Sequence, residues 1–105
     1  MVSVGAAALE SISRINADLF FMGVTGVHPR AGLTTGDYEE AGIKRALAAR
    51  AAETVVMASQ EKLNSASAFA IGELGGVSTL IVNTTLDEAL RQQLTLNGVE
   101  ILYAL

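Results

Sequence analysis

One stretch limits what this chain can fold into more than any other. From Leu19 to Gly36 an apolar run passes into a loop that carries Gly26, His28, Pro29, Gly32 and Gly36. The run Leu-Phe-Phe-Met-Gly-Val has the character of a strand buried on both faces. In open α/β sheets, small molecules bind beyond the carboxyl ends of parallel strands, where glycine lets backbone N–H groups approach a ligand closely. Residues 19–36 therefore have the plan of a ligand site, and the remainder can be read as its support.

Length and charge narrow the classes. With 105 residues the chain is one domain at most, because domains most often hold roughly 100–150 residues. Half of the residues are hydrophobic and 17% are charged, so a packed core is expected rather than disorder. The formal charge of −4 is the wrong sign for a surface that neutralises nucleic-acid phosphates. Its densest basic group, Lys44, Arg45 and Arg50, is answered by Glu39, Glu40 and Glu53. The absence of cysteine excludes a disulfide framework, a Cys-ligated zinc site and a thiol nucleophile, and it suits a reducing cytoplasm. No apolar run approaches the roughly 20 residues of a membrane-spanning helix, and the start lacks the basic and apolar regions of a signal peptide. A cytoplasmic chain with no membrane partner is the expectation.

Taken in order, Val4, Ala8, Ile12 and Ile15 fall on one helical stripe opposite Glu10, Ser11 and Arg14. This first helix begins abruptly, as one cut from a longer protein would. The strand from Leu19 to about Val24 follows, and then the loop to Thr35. Asp37 can cap the next helix, with Glu40 at the capping-box spacing and Ile43, Leu47 and Ala51 as the buried stripe. Glu53 to Ala58 is a second buried strand, delivering Ser59, Gln60, Glu61 and Lys62 at its carboxyl end. Phe69 to Leu74 reads as a short strand or turn. Gly75 and Gly76 precede another strand, Val77 to Val82. Thr85 is the expected cap of the last helix, with Glu88 at the capping-box position and Leu86, Leu90 and Leu94 inside. Asn97-Gly98 ends that helix, and Val99 to Tyr103 closes the sheet. The order α-β-α-β-(β)-β-α-β predicts an α/β fold, a mainly parallel sheet with helices packed on its faces and right-handed crossovers.

Chemistry-bearing residues are few. His28 is the only imidazole, with no second histidine or cysteine to make a metal site, and it reads as solvated or locally hydrogen-bonded more readily than as a ligand contact. Glu40 and Lys44 stand four apart in the order that favours a helix-surface ion pair. Lys62 lies just past a strand end, where an ammonium can hold a phosphate or carboxylate, although a solvated lysine satisfies the spacing equally. Ser59, Thr25, Thr34 and Thr35 can supply hydroxyls, with turn formation and capping as the alternative. No phosphate-loop, dinucleotide-binding or nucleophile-elbow pattern occurs.

Four segments in series carry a resemblance: residues 16–27 (Asn-Ala-Asp-Leu-Phe-Phe-Met-Gly-Val-Thr-Gly-Val), Gly-Leu-Thr-Thr at 32–35, Glu-Ala-Gly-Ile-Lys-Arg-Ala-Leu at 40–47, and Val-Val-Met-Ala-Ser-Gln-Glu-Lys at 55–62. Their order and spacing, together with the Leu-Ile-Val-Asn-Thr and Asn-Gly-Val-Glu-Ile endings, resemble the sensor domain of DeoR-family transcriptional repressors from about Val4 to Tyr103. The resemblance implies a three-layer fold similar to sugar-phosphate isomerases of the ribose-5-phosphate isomerase and glucosamine-6-phosphate deaminase type, binding a phosphorylated sugar as effector. By that analogy Gly23, Thr25 and Gly26 line the pocket, Glu40 faces sugar hydroxyls, and Lys62 meets the phosphate or a polar sugar group. No cofactor or metal is implied. Ala58-Ser59 departs from the family pattern, which usually has an aspartate at one of these places.

The family's winged helix-turn-helix and its Gly-Thr-Thr phosphate loop are not found in these 105 residues. The resemblance therefore implies a partial effector-binding domain over 1–105, with DNA contacted only through another domain. The related isomerases carry carboxylates after the first strand, since proton transfer between adjacent carbons needs a base. Here that place reads Gly23-Val24-Thr25-Gly26-Val27-His28, and a sensor rather than an enzyme is expected. The other readings are an isomerase-like or deaminase-like enzyme, marked by phosphosugar turnover, and an assembly module, marked by neither turnover nor effector response. Exposed sheet edges and uncovered apolar helix faces predict self-association, in keeping with a family that is commonly oligomeric.

Overall fold

The computed structural model describes residues 10–12, 14 and 16–104. Seven strands and two longer helices follow in the order β1 (Ala17–Gly23), β2 (Gly26–His28), β3 (Gly32–Thr35), α1 (Tyr38–Arg50), β4 (Ala51–Ala58), β5 (Phe69–Gly72), β6 (Thr79–Val82), α2 (Glu88–Leu96) and β7 (Glu100–Tyr103). Single 3-10 turns at Gln60–Lys62 and Leu74–Gly76 complete the path. The expected mainly parallel α/β sheet is present: β1, β4, β6 and β7 lie side by side in that order, every pairing parallel.

The three crossovers β1→β4, β4→β6 and β6→β7 step across the sheet in the same direction, so the right-handed rule puts α1 and α2, which lie in the first and the last, on one face. The core agrees. Met22, Val56 and Leu80 stand in one register row and form a single buried cluster with Ala41 of α1 and Leu90 and Leu94 of α2. The opposite rows present Leu19, Phe21, Met57 and Leu102, which are 44%, 57%, 55% and 46% exposed. This corrects the expectation that the first strand is buried on both faces. A hydrophobic run records what a strand is able to bury, and among the described residues β1 pairs with β4 alone, with α1 over one of its sides. The helix expected over 4–15 lies mainly outside the described residues; Glu10, Ser11 and Ile12 are helical, with Ile12 buried.

The loop expected between Val24 and Thr35 is instead a hairpin. β2 and β3 pair antiparallel, and β5 adds to β3, making a second sheet of three strands. The strand or turn expected near Phe69 is thus a strand, placed outside the parallel sheet. Short, glycine-bearing strands lack the long alternation that identifies a strand in sequence. At the tip, Nδ1 of His28 accepts from the backbone N–H groups of Arg30 and Ala31 at 3.0 and 3.2 Å, which is the locally hydrogen-bonded alternative for this residue.

Helix ends were partly legible. Asp37 caps α1, accepting from the Glu40 N–H at 3.0 Å. Ala51, expected on the helix stripe, is extended and begins β4, so α1 passes straight into a strand with Ile43 and Leu47 only half-buried. In α2 the cap is Asp87 rather than Thr85. Both types cap helices, aspartate the better of the two, and Asp87 is the one whose carboxylate reaches Leu90 N–H and also accepts from Asn64 at 2.6 Å. Leu90 and Leu94 are fully buried as expected, and Gly98, at φ +76°, takes the left-handed position that ends the helix. No helix among the described residues is long and apolar enough to cross a membrane.

Candidate functional site

The carboxyl ends of the parallel strands surround an open pocket of about 480 Å³. β1 contributes Gly23; β4 and the turn after it contribute Met57, Ala58, Ser59 and Lys62; Ile81, Val82 and Asn83 come from the end of β6, and Ala104 follows β7. Parallel pairing puts these ends level, with Gly23 opposite Met57 and Ala58 opposite Val82. The site is a product of sheet topology, its walls being the last residues of the strands and the turns that follow them.

Its polar groups are Ser59, Lys62 and Asn83 together with strand-end backbone. Lys62 is placed by the 3-10 turn, its N–H bonding to the Ser59 carbonyl at 3.0 Å. The Ser59 hydroxyl donates to the Glu61 carboxylate, and this bond, chiefly, holds the Glu61 carboxyl below the usual glutamate range, with the Lys62 charge assisting. Neither a carboxylate nor an imidazole lines the pocket.

Of the residues expected at the site, Gly23 and Lys62 meet in this pocket. Glu40 is elsewhere: with Gly23, Lys44 and the side of β1 it borders a separate groove of about 260 Å³ beneath α1. Its carboxylate accepts from the Thr35 hydroxyl at 3.5 Å, while Lys44, the expected ion-pair partner, donates to the Gly23 carbonyl at 2.6 Å. Thr25 and Gly26 line neither pocket. The Thr25 hydroxyl bonds to the Ser67 hydroxyl and to the Thr34 carbonyl, fastening the hairpin to the segment after β4. Gly26 is buried where a Cβ would stand 2.4 Å from the Ser65 carbonyl oxygen and 2.5 Å from Thr34 Oγ1, so its glycine is explained by packing. Two contributors were missed as site residues. Asn83 is signalled only by its position directly after β6, and Lys44 was assigned to the helix surface because sequence spacing cannot show that α1 leans over the end of β1.

A family model described as the DeoR C terminal sensor domain matches residues 1–84. The chain belongs to the DeoR sensor-domain family. Among curated relatives of this sensor domain, the HTH-type transcriptional regulator GlpR of Haloferax volcanii is 32% identical over 98 residues, 93% of this chain. The HTH-type transcriptional repressor GlcR of Bacillus subtilis is 30% identical over 98 residues, also 93% of this chain. In both cases this chain spans 38% of the relative's own length.

Proposed function

We propose that this sensor domain binds a phosphorylated sugar at the carboxyl ends of β1, β4 and β6, and that binding biases a longer regulator between DNA-bound and released states. The observation that carries this reading is the pocket shared by Gly23, Ser59, Lys62 and Asn83 in a chain whose relatives are named as transcriptional regulators. An ammonium, a hydroxyl, an amide and backbone groups suit a polyhydroxylated anion. Lys62 would meet the phosphate, Ser59 and Asn83 the hydroxyls. Glu40, across β1 from the pocket, would act on the ligand only through the strand end that it shares with Lys44.

Binding without a lining base favours recognition over turnover. Differential affinity for two states is all that a sensor needs. DNA contact would belong to another domain, as would the operator specificity, and the setting would be the cytoplasm.

The test is a thermal-shift series comparing phosphorylated sugars with the same sugars lacking phosphate. A ligand restricted to the native state stabilises it by about 2.7 kcal/mol at a hundredfold excess over its dissociation constant. The expected result is a rise in Tm with one phosphosugar that Lys62→Ala abolishes while its own ligand-free Tm stays unchanged. A shift that survives Lys62→Ala places the anion elsewhere. No shift with any phosphosugar rejects the ligand class.

A further inference from the structure

We propose that Asn64 is a positioning residue of the pocket, holding the turn that carries Lys62 through its side-chain bond to Asp87. The inference rests on the reading of Lys62 as the phosphate contact. Lys62 ends the 3-10 turn Gln60–Lys62, and among the described residues its ammonium makes no hydrogen bond or ion pair. The place of that charge therefore depends on the backbone of the turn. Two residues on, Asn64 has φ +59°, the one non-glycine residue at positive φ among those described. Its backbone N–H donates to the Val27 carbonyl of β2 at 2.7 Å, and its Nδ2 donates to the Asp87 carboxylate at 2.6 Å. The segment is thus fastened at one residue both to the small sheet and to the amino end of α2.

The Asp87 bond sits beside open space. A second cavity of about 240 Å³ is bordered by Gln60, Leu63 and Asn64 on one side and by Thr84, Thr85 and Asp87 on the other. On that side packing gives the turn no support, and the directed bond supplies it. Glycine would satisfy the left-handed backbone at residue 64 as well as asparagine does, but only a side chain with a donor reaches the carboxylate. A hydrogen bond to an ionised acceptor is among the stronger kinds. Lys62 is in this way set in place before a ligand arrives, and releasing the turn lowers affinity by the fraction of time that Lys62 then spends out of that place.

The experiment is isothermal titration with the phosphosugar that raises the wild-type Tm most, run well below the Tm of every variant. Asn64→Gly keeps the backbone geometry and deletes the donor. It should weaken binding about tenfold, the result when a freed turn holds Lys62 in place about a tenth of the time. In the ligand-free variant, amide hydrogen exchange should quicken at Leu63, whose N–H closes the turn on the Gln60 carbonyl at 3.2 Å. Asn64→Asp should weaken binding too, by setting two carboxylates together. Combining it with Asp87→Asn restores a donor facing a carboxylate and keeps a capping type at residue 87, so affinity should return to within about twofold of wild type. A loss of stability alone lowers Tm and leaves the affinity of the folded chain unchanged. Unchanged affinity or unchanged Leu63 exchange in Asn64→Gly, with Lys62→Ala abolishing binding, overturns the proposal and leaves the phosphosugar reading standing. So does a double variant that fails to recover affinity, since the bond would then not be the route. A wild-type chain that binds no phosphosugar rejects both.

Discussion

Lys44 Nζ donates to the Gly23 carbonyl at 2.6 Å across 21 positions of sequence, tying the middle of α1 to the final residue of β1. Replacing Lys44 by methionine keeps the aliphatic stem and removes the donor. The expected loss is about 1 kcal/mol of stability, the usual net value of such a bond. Phosphosugar affinity should also fall, because the strand end that forms one wall of the pocket loses its anchor. Urea unfolding with ligand titration checks both, and an unchanged affinity would separate the anchor from the site.

Gly23 and Gly26, placed together by the family resemblance, should part company under mutation. Nothing lies within 4 Å of a Cβ at Gly23, so Gly23→Ala is expected to fold with stability changed by no more than about 0.5 kcal/mol. Any ligand penalty would come from a methyl group facing the pocket. Gly26→Ala drives a Cβ into the Ser65 carbonyl and Thr34 Oγ1, and a loss of about 2–3 kcal/mol is expected from overpacking. Thermal melts of the two variants, with and without ligand, distinguish packing glycine from pocket glycine.

The cap of α2 gives a paired test. Asp87→Ala removes the bond to Leu90 N–H and the partner of Asn64, and should cost about 1 kcal/mol. Thr85→Ala should change stability by less than about 0.5 kcal/mol, since Asp87 holds the cap. Equal losses in chemical denaturation would return the cap to Thr85.

The same carboxylate makes stability depend on acid. The Asn64 amide, above all, holds the Asp87 carboxyl below the usual aspartate range, with the helix N–H groups adding to it. A group whose pKa is lower folded than unfolded contributes fully above its unfolded value, about 3.9 for aspartate, and that contribution disappears as pH falls through the folded value. Glu88, lowered chiefly by its bonds to Arg91, acts in the same direction. Denaturation midpoints should therefore fall with pH below about 4, and Asp87→Asn should flatten that acid limb. An equally steep limb in the variant would assign it to other carboxylates.

How much of this was legible depended on whether the signal was local. Asp37 could be read because its carboxylate meets an N–H three positions on, and Leu90 and Leu94 because helical periodicity puts them on one face. The parallel sheet followed from the alternation of elements. Thr85 and Asp87 offer the same chemistry two residues apart, and only the side chain of Asn64, remote in sequence, separates them. The β2–β3 hairpin was hidden because Gly26 and Gly32 look like loop glycines until the segment around Ser65 is packed beside the first and Gly72 beside the second. For the site, strand ends located Gly23 and Lys62, whereas Glu40 and Thr25 depended on the direction in which α1 and the hairpin turn away from the pocket.

The pocket's walls begin at Gly23 and are complete only at Ala104, almost the whole described chain apart. Contacts of such large sequence separation form late, after the loops between them have closed. A chain lacking β7 lacks Ala104, one of the pocket's walls. If a ligand binds there, its affinity depends on β1, β4, β6 and β7 being assembled into one sheet.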